Sequence, residues 1–169
     1  MLNKLKYQFR SFKKEVEVTK TSINYGSKTI RNRKLIATLE YNIKVYLSDD
    51  YVGTVCGDIT TAAAFAFPTE REIYINTPMT KLPRIYANAI IAHEVGHIVL
   101  EHNPGATYAA DNAACKGQGF DIELEADKYA QDRGHDMIGA LHFLARHGYH
   151  GKNVETRIKA LAKARFGTK

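Results

Sequence analysis

The sequence predicts an α+β domain in which a small antiparallel or mixed sheet comes first and several helices follow. Strand-like alternation and turn residues dominate up to Asn76, whereas apolar residues at helical spacing dominate from about Thr80 onward. The chain has 169 residues, of which 44% are hydrophobic and 25% charged, as is usual for a globular domain. Because this length suits one core, we predict a single domain over residues 1–169.

The first half of the chain carries a helical signal, a mixed signal and a hairpin signal. Apolar residues at helical spacing predict a helix in residues 1–20, within a basic N-terminal extension over residues 1–34. Residues 35–47 have the pattern of a helix that passes into a strand, because apolar and polar residues alternate only near its end. Residues 65–67 and Glu72–Asn76 flank a polar turn and predict a hairpin.

The second half of the chain carries the signals of four helices. A polar residue that can cap the first turn precedes three of them, and a proline or glycine follows their ends. The predicted helices run from Thr80 to about His102, from Asp121 to Gly134, from Asp136 to Gly148 and over about residues 153–165. A loop over residues 103–120 is expected between the first two helices.

Charge and cysteine content exclude several classes of protein. The net charge of +6 is concentrated at the two ends, which can contact nucleic acid or an anionic surface. No aromatic-glycine nucleic-acid motif accompanies these residues, so solvated faces are the favoured interpretation. Cys56 and Cys115 form neither a disulfide framework nor a CxxC zinc ribbon, which favours a reduced, cytoplasmic setting. No apolar run predicts a membrane span or a secretory signal.

The stretch AHEVGHIVL places three polar side chains within an apolar run. On a helix His93 and His97 lie one turn apart, about 6 Å along the axis, so both imidazoles can bind one metal ion. Glu94 is about 100° round the helix, where it can act as a base on water activated by the metal. The alternative is a helix with two core histidines, but buried polar groups need partners, and this favours a zinc site.

A zinc ion needs a third protein ligand beyond the two histidines. A further histidine six residues after His97 is ruled out, because Asn103 occupies that position. Glu101 lies about 12 Å along the helix axis from His93 and is too distant to share an ion with it. His102 is expected on the opposite side of the helix, in solvent.

The segment FDIELEADKYA supplies the candidate third ligand. Glu123 and Asp127 share one face of a helix, whereas Glu125 faces elsewhere. If this helix packs against the first, Glu123 can bind the metal and Asp127 can accept the N–H of a liganding histidine. Taken alone, the segment would equally suit a solvated acidic face. Paired with the histidine motif, it favours a site made of His93, His97 and Glu123, with Glu94 as the catalytic base.

The motifs HEVGH and ELEAD resemble a zinc endopeptidase family that includes the CAAX prenyl proteases, the bacterial heat-shock membrane protease and the mitochondrial inner-membrane protease. Residues 60–165 carry the resemblance, because AAFAFPTEREIYIN, EADKYAQDRGHDMIGALHFL and HGYHGKNVETRIKAL are similar to its flanking segments. The resemblance implies a helical zincin core, a Zn²⁺ cofactor and a polypeptide substrate, here without membrane spans. His150, with Arg157 as second choice, would then stabilise the oxyanion.

Three other functions fit parts of the same pattern. A regulatory protease that cleaves a repressor also carries HExxH, but usually has asparagine where Asp127 stands. A non-catalytic protein- or nucleic-acid-binding module could hold a structural zinc, although such a site has four protein ligands and needs no base. A catalytically inactive relative would act by protein contact alone, and the intact histidines and glutamates argue against it.

Overall fold

The computed structural model describes eleven stretches of the chain, and two of the sequence-based predictions lie largely outside them. The described residues are 18–19, 23–25, 28–30, 33–48, 53–55, 58–60, 64–76, 79, 81–102, 120–147 and 154–166. The helix predicted within residues 1–20 therefore lies outside the described residues, apart from Val18–Thr19, which form a strand. The predicted loop over residues 103–120 is likewise outside them up to Phe120, where a helix begins.

The described chain contains nine strands, most of them short. In chain order they are β1 (Val18–Thr19), β2 (Ile23–Tyr25), β3 (Lys28–Ile30), β4 (Arg33–Leu39), β5 (Ile43–Ser48), β6 (Gly53–Val55), β7 (Asp58–Thr60), β8 (Ala64–Phe67) and β9 (Glu72–Asn76). Five of them form one sheet in the order β1-β4-β5-β9-β8, while β2 pairs with β3 and β6 with β7. Because β5 and β9 run parallel and the other pairs antiparallel, the main sheet is mixed, as predicted.

Within the residues that the structure describes, four helices follow the strands, which confirms the α+β class. They are α1 (Arg84–Val99), α2 (Phe120–Asp132), α3 (Met137–Arg146) and α4 (Val154–Phe166). The prediction that Asp136 caps a helix is confirmed, because its side chain accepts a hydrogen bond from the backbone N–H of Gly139. Within the described ranges, no helix combines the length and the apolar character needed to cross a membrane.

Two predicted helix starts differ from the observed ones. Helix α1 begins at Arg84, four residues after Thr80, and the position before it is Pro83, which makes no side-chain hydrogen bond to the helix. A proline there costs little, because the first N–H groups of a helix have no partner within it. Asp121 lies inside the first turn of α2 instead of preceding the helix, where its charge still favours the helix N-terminus.

The helix predicted at the start of residues 35–47 is absent, and β4 occupies that segment. A bulge between Leu35 and Ala37 shifts the pairing of β4 with β5 and breaks the two-residue alternation of a regular strand. Apolar residues thereby fall at a spacing that mimics a helix. The short turn Glu40–Asn42 then reverses the chain into β5, with Tyr41 in a left-handed backbone conformation at φ 60°.

Helix α1 lies at the centre of the described structure and is buried on nearly all sides. It packs against β8 and β9 of the sheet and against α2 and α3. Every residue from Ala89 to Ile98 is buried, including His93, Glu94 and His97. A helix that is apolar all round is expected in such a position. The three polar side chains are therefore carried into the interior, where they need partners.

Helices α1 and α2 approach each other closely at Gly96. A β-carbon built on Gly96 would lie 3.1 Å from the Cα of Ala126 and 3.2 Å from the Cβ of Tyr129. Ala126 is itself completely buried at this contact. Two small residues thus allow the helix backbones to come together, which brings the side chains of α2 within reach of His93.

We expect Gly96→Ala to lower the free energy of unfolding by about 1 kcal/mol. Overpacking against the backbone of α2 costs about 1–3 kcal/mol, and the better helix propensity of alanine offsets up to about 1 kcal/mol of it. Urea unfolding of the metal-free protein measures the difference. A variant as stable as the wild type would show that α2 moves aside without cost, contrary to a contact that limits the helix separation.

Candidate metal centre

The side chains of His93 and His97 converge in the interior, as their spacing on one helix predicts. The Nε2 atoms of the two rings are 3.1 Å apart, and the rings meet edge to face with centroids separated by 4.7 Å. Both residues are buried. The two Nε2 atoms therefore point into one small volume between α1 and α2.

Glu123 reaches the same volume from the first turn of α2. One carboxylate oxygen lies 3.4 Å from His93 Nε2, and the other lies 3.5 Å from His97 Nε2. All three ligand atoms lie within 4.8 Å of one another, so His93, His97 and Glu123 form a group that could hold a metal ion. Two imidazole nitrogens and one carboxylate oxygen are donors that suit zinc, and a fourth coordination position would remain for water. The residues fit the expected cofactor.

Asp127 fixes the orientation of His93. Its Oδ1 atom accepts a hydrogen bond from His93 Nδ1 at 2.8 Å, and the residue is completely buried. A carboxylate only accepts, so the proton of this bond is on Nδ1, and Nε2 is directed towards His97 and Glu123, with its lone pair available when the ring is neutral. This contact is the one predicted for Asp127 from its position four residues after Glu123.

Arg157 of α4 compensates the negative charges of Asp127 and Glu123. Its guanidinium donates two hydrogen bonds of 2.6 Å to the two oxygens of Asp127, and its remaining nitrogen lies 3.2 Å from Glu123. With its three nitrogens directed to these carboxylates, Arg157 acts inside the centre, and the oxyanion role predicted for it stays a prediction. His150, the other residue considered for that role, lies outside the described residues.

Neighbouring charges set the protonation of the four groups. Burial alone would lower the pKa of His93, but hydrogen bonds to Asp127 and Glu123 raise it to about 10. Burial, reinforced by the positive charge of His93, lowers the pKa of His97 to about 3. Burial alone would raise the pKa values of Glu123 and Asp127, yet His93 and Arg157 hold both below their ordinary values. A proton on His93 therefore competes with a metal ion for the Nε2 lone pair.

Glu94 is buried beside the ligand group without belonging to it. The side chains that could hold one ion are His93, His97 and Glu123. The charge of Glu94 is felt by Arg157, because it is among the groups that raise the pKa of that guanidinium. This placement agrees with a carboxylate that acts next to a metal ion and does not bind it.

His102 was expected in solvent but is buried against His97, with the two Nδ1 atoms 2.8 Å apart. The reason is that α1 ends at Val99 and the chain reverses, so helical spacing no longer applies. Glu101 adopts a left-handed conformation at φ 55°, and the backbone N–H of His102 donates to the carbonyl of His97. The stop signal of Pro104-Gly105 could have indicated an earlier helix end, but not the direction of the reversal.

Comparison with protein-family models, with curated proteins and with solved structures found no match for this chain. The chemistry of the centre is therefore inferred from the distances, burial and charges of its own residues.

We expect Asp127→Ala to weaken zinc binding by about 10–100-fold, because His93 loses the acceptor that orients it. The substitution should also lower the free energy of unfolding by about 3–5 kcal/mol, since it removes the main counter-charge of the buried Arg157. Chelator competition and urea unfolding measure the two effects. Asp132→Ala, which removes an exposed carboxylate from the same helix, is the matched control and should change neither quantity. Unchanged zinc affinity in Asp127→Ala would contradict its role.

Zinc binding should release about one proton at about pH 6, where a zinc-bound water would still keep its own proton. His93 is protonated there because its pKa is raised to about 10, and a liganding Nε2 must give up its proton. His97 releases none, because its pKa is lowered to about 3. Zinc affinity should accordingly rise as the pH is raised from about 5 to about 7. Calorimetry in buffers of different ionisation enthalpy counts the protons, and a count of zero would contradict the protonated His93.

Proposed function

We propose that this protein is a zinc-dependent endopeptidase. The observation that carries the proposal is the convergence of His93, His97 and Glu123 from two helices, with the buried carboxylate of Glu94 beside them. The resemblance of HEVGH and ELEAD to the zinc endopeptidase family supports the same function, and with it a zincin-like core and a polypeptide substrate.

The number of protein ligands favours catalysis over a structural role. A structural zinc site is closed by four protein ligands, whereas a catalytic site has three and keeps one position open. Among the described residues, three side chains come together here. A binding module with a purely structural zinc would also have no use for Glu94 as a base.

Each residue of the centre has a distinct part in peptide hydrolysis. Zinc, when bound, supplies a Lewis acid that brings the pKa of a coordinated water to about 7. Glu94 would act as the base that accepts a proton from the attacking water and would later give that proton to the leaving amine. Asp127 keeps the proton of His93 on Nδ1, and Arg157 holds Asp127 and Glu123 in place. The positive charge of Arg157 also compensates the negative charges of these two carboxylates.

Strand β8 offers a surface for an extended peptide. It lies at one end of the main sheet, with β9 as its neighbour among the described strands, and it packs against α1. A substrate backbone can pair with such an edge through main-chain hydrogen bonds, which demand little of its sequence. Strand β9 cannot serve in this way, because it lies between β5 and β8.

We expect Glu94→Gln to reduce cleavage by at least about 10²-fold while zinc remains bound, because the variant loses the proton carrier and keeps all three ligands. Zinc-loaded wild type and variant are incubated with a mixture of cellular proteins, and new N-termini are identified by mass spectrometry. Glu155→Gln, which removes an exposed carboxylate of α4, is the matched control and should cleave as the wild type does.

The contradicting outcome is the same set of new N-termini from wild type and Glu94→Gln with zinc fully bound. A non-catalytic module would then be the better account of this centre. A variant that loses zinc together with activity would instead show that Glu94 belongs to the ligand set.

A further inference from the structure

We propose that His102 is a positioning residue that fixes the proton of His97 on Nδ1 and so directs the Nε2 lone pair of His97 to the metal. Glu125 in turn orients His102. The proposal rests on the proposed metal centre. It adds a second pair of residues, His102 after the end of α1 and Glu125 on the exposed side of α2, that orient the ligand His97, as Asp127 and Arg157 orient His93.

The contacts form a chain of three side chains. His97 Nδ1 and His102 Nδ1 are 2.8 Å apart, and His102 Nε2 lies 3.0 Å from an oxygen of Glu125. The histidines are buried, whereas the side chain of Glu125 is 61% exposed. The rings of His97 and His102 meet edge to face, with centroids 5.0 Å apart. The chain therefore leads from the interior to the surface.

The positions of the protons follow from these contacts and from the requirement of the metal. A liganding Nε2 must be unprotonated, so the proton of His97 is on Nδ1. Two N–H groups cannot face each other at hydrogen-bond distance, so the Nδ1 of His102 accepts. The proton of His102 is then on Nε2, where the carboxylate of Glu125 accepts it. One assignment satisfies all three groups.

The two ligand histidines are thus held by different kinds of acceptor. His93 donates to Asp127, an anion paired with Arg157, whereas His97 donates to the neutral ring of His102. Glu94 and Asp127 already bring two carboxylates into the interior of this region, and Glu123 adds a third that is partly buried. The neutral ring of His102 orients the ring of His97 without bringing a fourth carboxylate into this region. In agreement, the carboxylate of Glu125, which orients His102, lies largely in solvent.

Two substitutions of His102 separate positioning from packing. The carbonyl oxygen of glutamine can accept the proton of His97 Nδ1, so His102→Gln should bind zinc within about threefold of the wild type. Phenylalanine fills the volume of the ring but has no acceptor, so His102→Phe should bind zinc about 10–100-fold more weakly, as is usual when a partner of a ligand is lost. His142→Phe, at an exposed position of α3, is the matched control and should bind zinc as the wild type does.

Zinc competition with a chromophoric chelator gives the affinities, after circular dichroism has shown that each variant is folded. Equal affinities of the Gln and Phe variants would overturn the proposal. Nitrogen-15 NMR of histidine-labelled, zinc-loaded wild type tests it without any substitution. A proton on Nδ1 of His97 and on Nε2 of His102 is expected, and a proton on Nδ1 of His102 would overturn the proposal even if the Phe variant failed to fold.

Neither measurement uses peptide cleavage, so the two proposals can fail separately. If the protein shows the expected zinc affinities and proton positions but cleaves no peptide, the positioning role of His102 stands and the proposed peptidase function is wrong. If the protein cleaves peptides but His102→Gln and His102→Phe bind zinc equally well, the proposed function stands and the positioning role is wrong.

Discussion

The close contact between α1 and α2 is the constraint on which the rest of the centre depends. Gly96 and Ala126 let the helix backbones approach until a single added methyl group would be within 3.1 Å of the facing Cα. Glu123 lies one turn before Ala126 and Asp127 directly after it, so the position of both carboxylates is set by this contact. Had a larger residue separated the helices, the distances of 3.4 and 3.5 Å from Glu123 to the histidines could not be maintained.

Charge compensation explains why a third helix, α4, contributes a residue to the centre. A buried carboxylate without a partner is strongly unfavourable, and Asp127 is completely buried. Arg157 supplies two hydrogen bonds to Asp127 and approaches Glu123, so α4 is tied to α2 through the same residues that orient His93. The groups that stabilise the contact between these helices are therefore also the groups that define the ligand geometry.

The end of α1 has a comparable double role. The hydrogen bonds from Glu101 and His102 back to the carbonyls of Ile98 and His97 satisfy groups that a helix end would otherwise leave unpaired. They require the left-handed conformation of Glu101, which costs a residue with a side chain about 1 kcal/mol or more. The reversal places His102 against His97 instead of in solvent. A local strain at the surface is thus coupled to an interaction inside the centre.

Those features of the protein that depend on spacing along one element were predictable from the sequence. Helical periodicity alone places His93 above His97 and puts Glu123 and Asp127 on one face, and the turn residues between the two strands identify the β8–β9 hairpin. The order of strands before helices, and with it the α+β class, follows from the same kind of local pattern.

Only the tertiary structure decided the features that depend on contacts between distant residues or on a break in periodicity. The bulge in β4 gave residues 35–39 a spacing that mimics a helix, and pairing with β5 determined that they form a strand. The left-handed Glu101 ended the periodicity that would have placed His102 in solvent. Arg157 and Asp127 are 30 residues apart and belong to different helices, so no local pattern identifies them as partners. Their pairing follows from helix packing, because a carboxylate buried there requires a counter-charge.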